Sequence, residues 1–219
     1  VKVVILGTSG HSKVVIDLVE RSPGLELVGL LDPVATPGSL VLGYTVLGKD
    51  ADLARLIADS GVQGVVIAVG DNWLRGKIAA RIREGTPDVL FPSLVHPSAC
   101  LASSTRLGCG TVVMAGCVVN SDARVGEFCI LNTNCSVDHE TVIGNFASVA
   151  PGAHLGGNVI VGSFTAIGLG ANVIHRVHIG EHTVVGAGAT VVRSIPGHVV
   201  AYSSPARVVR PRAVGEPYL

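Results

Sequence analysis

The chain has 219 residues, in which 16 Lys and Arg are matched by 16 Asp and Glu, and only 15% of positions are charged. That balance excludes the electrostatic footprint of a nucleic-acid or anionic-membrane partner, and no apolar run of about 18 residues offers a membrane span. The opening VKVVILGTSGHSK lacks the charged region and cleavage pattern of a signal peptide, so a cytoplasmic protein is expected. Glycine occupies 28 positions while aromatics make up 4%, which suggests a tight, repetitive architecture whose surface is hidden in an oligomer. The five cysteines (Cys100, Cys109, Cys117, Cys129 and Cys135) are odd in number and contain no CxxC pair, so neither a disulfide framework nor a metal site is expected.

Up to about Leu94 the chain alternates apolar runs with amphipathic patterns. VKVVIL (1–6) reads as a buried strand, and HSKVVIDLVERS (11–22) as a helix with Val14, Val15, Leu18 and Val19 at helical spacing. LELVGLLD (25–32) is a second strand, DADLARLIADSG (50–61) a helix with a glycine C-cap, and GVVIAVG (64–70) a third strand. NWLRGKIAARIRE (72–84) is a further helix, after which DVLFPSLV (88–95) returns extended. Strands alternating with helices predict a small parallel, doubly wound α/β sheet over 1–94.

Over 95–219 the period becomes six. From Val95 to Val191 every sixth residue is Val, Leu or Ile, and the residue four further on is small or β-branched throughout. Such a repeat predicts a β-solenoid of triangular coils, with three hexapeptides to a coil and parallel strands stacked at roughly 4.8 Å, so that each residue lies beneath the one eighteen further on. Cys117, Cys129 and Cys135 fall on the inward small position and are expected to be core filler.

Hexapeptide repeats of this kind resemble the left-handed β-helix acyltransferases. The stretches VVILGTSGHSKVVIDLV, IAVGDNWLRGKI, VHPSA, NTNCSVDHETVIG and SPARVV are similar to the bacterial sugar acetyltransferases of the PglD and NeuD type, over nearly the whole chain. The resemblance implies a left-handed β-helix that forms a homotrimer, an N-terminal part that holds a nucleotide-linked sugar, and acetyl-CoA as co-substrate in a groove between neighbouring β-helices. It implies direct N-acetylation of a nucleotide-linked amino sugar for a surface glycan, with no covalent acyl-enzyme. O-acetylation of sialic acid or a related sugar is the alternative.

In the triplet Asp138-His139-Glu140 the resemblance makes His139 the general base and Glu140 the group that orients it. The chemistry needs such a pair: a neutral imidazole takes the proton of the attacking amine near pH 7, and a carboxylate on its other nitrogen fixes the tautomer. The repeat places His139 on a coil corner, with Gly157 one coil above, where a backbone N–H can meet a developing oxyanion. Leu169 and Ala187 join Gly157 as the residues expected to line the coenzyme. His175, two coils above His139, is a competing base without adjacent carboxylates, while His154, His178 and His182 are expected at the surface or at a subunit interface. Asn132 matches an asparagine that in the resembling family helps to position the acceptor, with an asparagine ladder at a coil corner as the alternative. Ser148 stands where close relatives carry a second histidine.

At the front, the loop Gly7, Ser9, Gly10 and His11 follows a strand and opens a helix, an arrangement that suits a diphosphate. It lacks the third glycine of a dinucleotide fingerprint. Asp32 ends the second strand, placed either to meet a base or ribose hydroxyl or simply to hold the turn before Pro33.

Overall fold

The computed structural model describes residues 1–218. Its first part is a five-stranded sheet built on β1 (Lys2–Leu6), where Val3, Val4, Ile5 and Leu6 are all buried. A strand apolar on both faces belongs in the middle of a parallel sheet. Accordingly β1 pairs in parallel with β2 (Glu26–Leu31) on one side and, through residues 64–67, with a later strand on the other. Helix α1 (Gly10–Glu20) buries Val15, Ile16, Leu18 and Val19 against this sheet. Beyond β2 comes a hairpin of β3 (Leu40–Val41) and β4 (Tyr44–Gly48), turned through Leu42 and Gly43 at φ 49° and 88°. The sequence reading placed no strand here because β3 is only two residues long and glycines flank the run. The remaining elements are α2 (Leu53–Ser60), closed by Gly61 at φ 67°, β5 (Gly64–Ile67) and α3 (Asn72–Gly85), capped by the Asp71 side chain on the Leu74 N–H at 2.7 Å.

From Leu94 the chain winds as a left-handed β-helix with three flat faces, whose strands are two residues long up to Val191, and the longer strands Val199–Tyr202 and Arg207–Pro211 then extend the first face, pairing antiparallel with each other. Residue n pairs with n+18 as far as Val191, as Val118 with Ser136, Ser136 with His154 and His154 with Asn172, and the last turn shortens to n+16, Val184 with Val200. The first face carries residues 130–131, 148–149, 166–167 and 184–185; the second carries 136–137, 154–155 and 172–173; the third carries 124–125, 142–143 and 160–161. Inside, the aliphatic ladder (Val113, Leu131, Val149, Ile167, Val185) is fully closed off from solvent. Cys117, Cys129 and Cys135 are buried among it, Cys117 and Cys135 touching across adjacent coils at 3.5 Å between sulfurs. The inward threonines stay satisfied: Thr111, Thr141 and Thr165 donate to the carbonyls of Gly126, Gly156 and Gly180 at 2.7, 2.9 and 2.6 Å. Each corner turns through one left-handed residue, filled on the second corner by Glu140, Asn158 and Arg176 and on the third by Phe128, Phe146, Phe164 and His182.

That third corner is where the two parts join. Phe128, Phe146, Phe164, His182 and His198 stack face to face at centroid spacings of 5.2, 4.9, 4.8 and 5.1 Å, one ring per coil. Helix α3 lies on this column. Trp73 meets Phe164 edge-on at 5.4 Å, and Gly76 has no room for a Cβ, which would sit 2.7 Å from the Phe164 ring. His182 is therefore not the surface or interface residue expected from sequence; it is 7% exposed, because its place in the eighteen-residue register puts it directly above Phe164 and under Trp73. The seam is bolted by Arg75, 1% exposed, which donates to the carbonyls of Phe128 (2.8 Å) and Phe146 (2.9 Å) in the β-helix. On its own side of the seam it donates to the carbonyls of Val69 (2.8 Å) and Gly70 (3.0 Å) and to Asn72 Oδ1 (2.6 Å). Among the described residues no helix is long and apolar enough to cross a membrane.

Candidate active site

His139 sits at the second corner, between strands 136–137 and 142–143. Its neighbours fix it from three sides. The backbone N–H of His139 donates to Asp138 Oδ1 at 2.7 Å, and that carboxylate is held in turn by Asn120 Nδ2 at 2.8 Å from the coil below. Its imidazole Nδ1 lies 3.2 Å from Glu140 Oε2, and the same oxygen accepts from Asn158 Nδ2 at 3.0 Å, one coil above. The hydrogen bond from Asn158, then that from His139, holds the Glu140 carboxyl below the usual carboxylate range. The other face of the ring is set by Gly157: a Cβ there would stand 2.5 Å from Nε2 and 2.6 Å from Cε1. Only glycine leaves the imidazole in this place. Gly157 N–H has no acceptor among the described residues, so a donor stands free beside the unpaired ring nitrogen.

This arrangement is a proton acceptor with an oriented tautomer, next to an amide able to receive negative charge. The His139 side chain remains 55% exposed, so a substrate can reach Nε2. His175 is exposed two coils higher on the same corner, beside Arg176 rather than a carboxylate.

A second group of residues collects at a different edge. A groove of about 500 Å³ runs up the first face and first corner of the β-helix, lined by Asn132, Ser148, Ala166, Leu169 and Ala187, with His11, Gly70 and Tyr218 as its opposite wall. His11 lies in the first turn of α1, after β1, and Gly70 follows β5, at the carboxyl edge where parallel sheets take their ligands. Asn132 turns its carbonyl oxygen back onto Thr133 N–H at 2.8 Å, which leaves its amide NH₂ for a ligand. His11 Nε2 is buried without a partner, and burial followed by the nearby Arg75 cation lowers its pKa to about 4, so the ring is neutral at pH 7. Gly7 has φ 113° and its missing Cβ would meet the Ala68 carbonyl at 2.8 Å; Gly10 faces open space. Ser9 begins α1 without a side-chain cap, so its hydroxyl accepts from none of the first N–H groups of the helix.

Asp32 is already engaged. Its Oδ1 accepts from the N–H groups of Val34 (2.8 Å) and Ala35 (2.9 Å), and its Oδ2 from Thr8 Oγ1 (2.8 Å), so it ties the turn before β3 to the glycine loop. The structure thus joins His139, Glu140 and Gly157 at one corner, and His11, Asn132, Leu169 and Ala187 at another. Asn132 and Asp138 are separated by a whole face of the triangle, up to roughly 20 Å of extended chain.

The sequence reading left out Arg75 and Tyr218. Tyr218 carries no local signal. Arg75 looks like one more charge on an amphipathic helix, and only the spacing of Phe128, Phe146 and Phe164, eighteen residues apart in a chain with four phenylalanines, points to the seam it locks.

Residues 2–82 match the family described as the PglD N-terminal domain. PerB from Caulobacter crescentus, solved in complex with CoA and GDP-perosamine, superposes with a TM-score of 0.89 at 38% identity over 96% of this chain and 98% of that one. The chain belongs to the PglD-type sugar acetyltransferases. The acetyltransferase domain of PglB from Neisseria gonorrhoeae FA1090, in complex with acetyl coenzyme A, gives a TM-score of 0.87 at 31% identity over 95% of this chain and 98% of that chain. UDP-N-acetylbacillosamine N-acetyltransferase from Bacillus subtilis (strain 168) is 39% identical over 115 residues, a match that spans 52% of this chain and about half, 51%, of that enzyme.

Proposed function

We propose that the protein transfers the acetyl group of acetyl-CoA to the amine of a nucleotide-linked amino sugar. The observation that carries this reading is the imidazole of His139, paired with Glu140 on one nitrogen and packed on Gly157 at the other. In the reaction the sugar amine attacks the thioester carbonyl while His139 Nε2 takes the amine proton. Gly157 N–H receives the oxyanion of the tetrahedral intermediate. Collapse forms the amide C–N bond and breaks the C–S bond, and the imidazolium returns its proton to the departing sulfur of CoA. Glu140 holds the tautomer and offsets the charge on the ring. No side chain forms a covalent acyl intermediate.

The groove suits the co-substrate. Its small lining residues Ala166, Gly168 and Ala187 leave a narrow channel with few polar groups, as a pantetheine arm requires, and it ends beside Asn132 and His11, where an acceptor sugar would lie. The loop Gly7–His11 and the N-terminus of α1 would meet the diphosphate. Because the catalytic corner and the groove stand on different edges of one triangle, His139 of one copy serves the groove of the next, and a homotrimer completes three equivalent sites. The exposed Val118, Val142, Ile160 and Ile174 on the second and third faces and their corner support such an assembly. Acetyl-CoA and nucleotide sugars are cytoplasmic metabolites, and that is where the enzyme is placed.

A thiol-release assay with acetyl-CoA against UDP-, GDP- and dTDP-linked amino sugars, with CMP-sialate alongside, tests this. Turnover with an amino sugar is expected, and N-acetyl product by mass spectrometry. Turnover confined to CMP-sialate replaces N-transfer by O-transfer, and no turnover with any of them refutes the reading.

A further inference from the structure

After Pro211 the chain turns back across the seam between α3 and the β-helix. Arg212, 5% exposed, donates to the His182 carbonyl at 2.9 Å and to the Glu216 carbonyl. Gly215 lies flat on the Trp73 indole: its φ is 74°, and a Cβ would stand 2.6 Å from Nε1, so both backbone and space demand glycine. The turn delivers Tyr218 to the groove wall. Its hydroxyl accepts from Asn72 N–H at 3.3 Å and donates to the Gly70 carbonyl at 3.4 Å, and Ser148 lines the same groove. The Arg212 guanidinium stands over the ring at 5.4 Å.

Two observations distinguish this tyrosine from ordinary packing. Both of its backbone hydrogen bonds lie beyond the usual N–H and O–H donor distances, so the hydroxyl is free to exchange them for a better partner. It also lines the same groove as Ser148, Asn132 and the unpartnered His11 Nε2. Burial raises the phenol's pKa, which keeps it a hydrogen-bond donor across the physiological range.

We propose that Tyr218 is a specificity-determining residue for the acceptor: with Ser148 it presents two hydroxyls to the sugar on the inner wall of the groove, and its ring sets the width of that pocket. This rests on the acetyltransferase reading above. A site built to hydrogen-bond a sugar hydroxyl discriminates sharply against analogues that lack it, because its own polar groups are then left unpaired.

The test measures calorimetric binding of UDP-, GDP- and dTDP-linked amino sugars, with CoA present, to the wild type, Tyr218→Phe and Tyr218→Ala, together with acceptor kinetics and melting temperature. Tyr218→Phe is expected to weaken the preferred acceptor roughly 3- to 10-fold, with CoA affinity and melting temperature unchanged. Tyr218→Ala should also narrow the spread of affinities across the panel. Variants that bind the panel as the wild type does, with only a lowered melting temperature, make Tyr218 a structural residue and overturn the proposal. A wild type that binds nucleotide sugars but releases no thiol refutes the acetyltransferase reading while the binding arm still decides on Tyr218. A wild type that binds none of them refutes both.

Discussion

Gly157→Ala asks whether the imidazole must rest where it does. The backbone there has no positive φ, so alanine fits the corner without backbone strain. The new methyl, however, would stand 2.5 Å from His139 Nε2, 2.6 Å from Cε1 and 3.0 Å from Cδ2. Comfortable carbon contacts begin near ~3.5 Å, so the ring must retreat by about 1 Å. Because the His139 side chain is 55% exposed, it can swing into solvent, and the fold should lose little. The retreat breaks the 3.2 Å contact with Glu140 and moves the accepting nitrogen off the amine. A misplacement of that size costs on the order of 10²-fold, or about 2.7 kcal/mol of activation free energy. The assay is thiol release at saturating acetyl-CoA and acceptor, with a thermal melt and light scattering as controls. A variant that melts and assembles like the wild type and keeps kcat within twofold would refute the argument that ring position at Gly157 sets the rate.

Three further outcomes follow from the same geometry. Glu140→Gln should lower kcat by about 10-fold, less than the 10²–10⁴ expected of His139→Ala, since it removes orientation and charge but not the base; equal losses would mean that the carboxylate does more than orient. Arg75→Met strands the carbonyls of Phe128, Phe146, Val69 and Gly70 at the seam, and should cost about 3–5 kcal/mol in urea unfolding; a loss below about 1 kcal/mol would show that the seam holds without its bolt. His11 has a folded-state pKa of about 4 against an ordinary value of 6.5, so the unfolded chain binds the extra proton between those values. Stability is therefore whole above pH 6.5 and falls toward pH 4, by at most roughly 3 kcal/mol for this group. His11→Asn should flatten that slope in urea titrations at pH 4.5 and 6.5, and an unchanged slope would assign it to other groups.

The solenoid was legible because its period is written into single residues. Every sixth position from Val95 to Val191 is aliphatic, and a short side chain four residues later closes each inward row. The corner proposed to be catalytic stands out for a related reason: Asp138, His139 and Glu140 put two carboxylates and an imidazole in a row, in a repeat whose other corners seldom carry a cluster of charges. What stayed hidden needs two distant segments at once. Arg75 bonds to carbonyls of the β-helix, and a carbonyl has no letter in the sequence. His182 reads as a polar surface residue until it is placed in one column with Phe128, Phe146 and Phe164, where the register turns it into a stacking ring. Asp32 shows the opposite limit. Its position beside a glycine loop suited either a ligand or a turn, and its three hydrogen bonds to Val34, Ala35 and Thr8 arise from the local path of the chain.

The pairing of n with n+18 up to Val191 also governs how a chain of this kind can change length. Eighteen residues added above Ile179 would lay one more coil into the wall of the groove and leave every side chain below it in place. Six added at the same point would rotate everything above by a third of a turn, carrying Arg212 and Tyr218 away from the seam and onto another face. Insertions and deletions in the wound part are thus confined to whole coils, as a reading frame confines them to whole codons. Loops that leave a corner and return to it escape that arithmetic. Variation in length among related chains should accordingly collect at corners, outside the stacked strands.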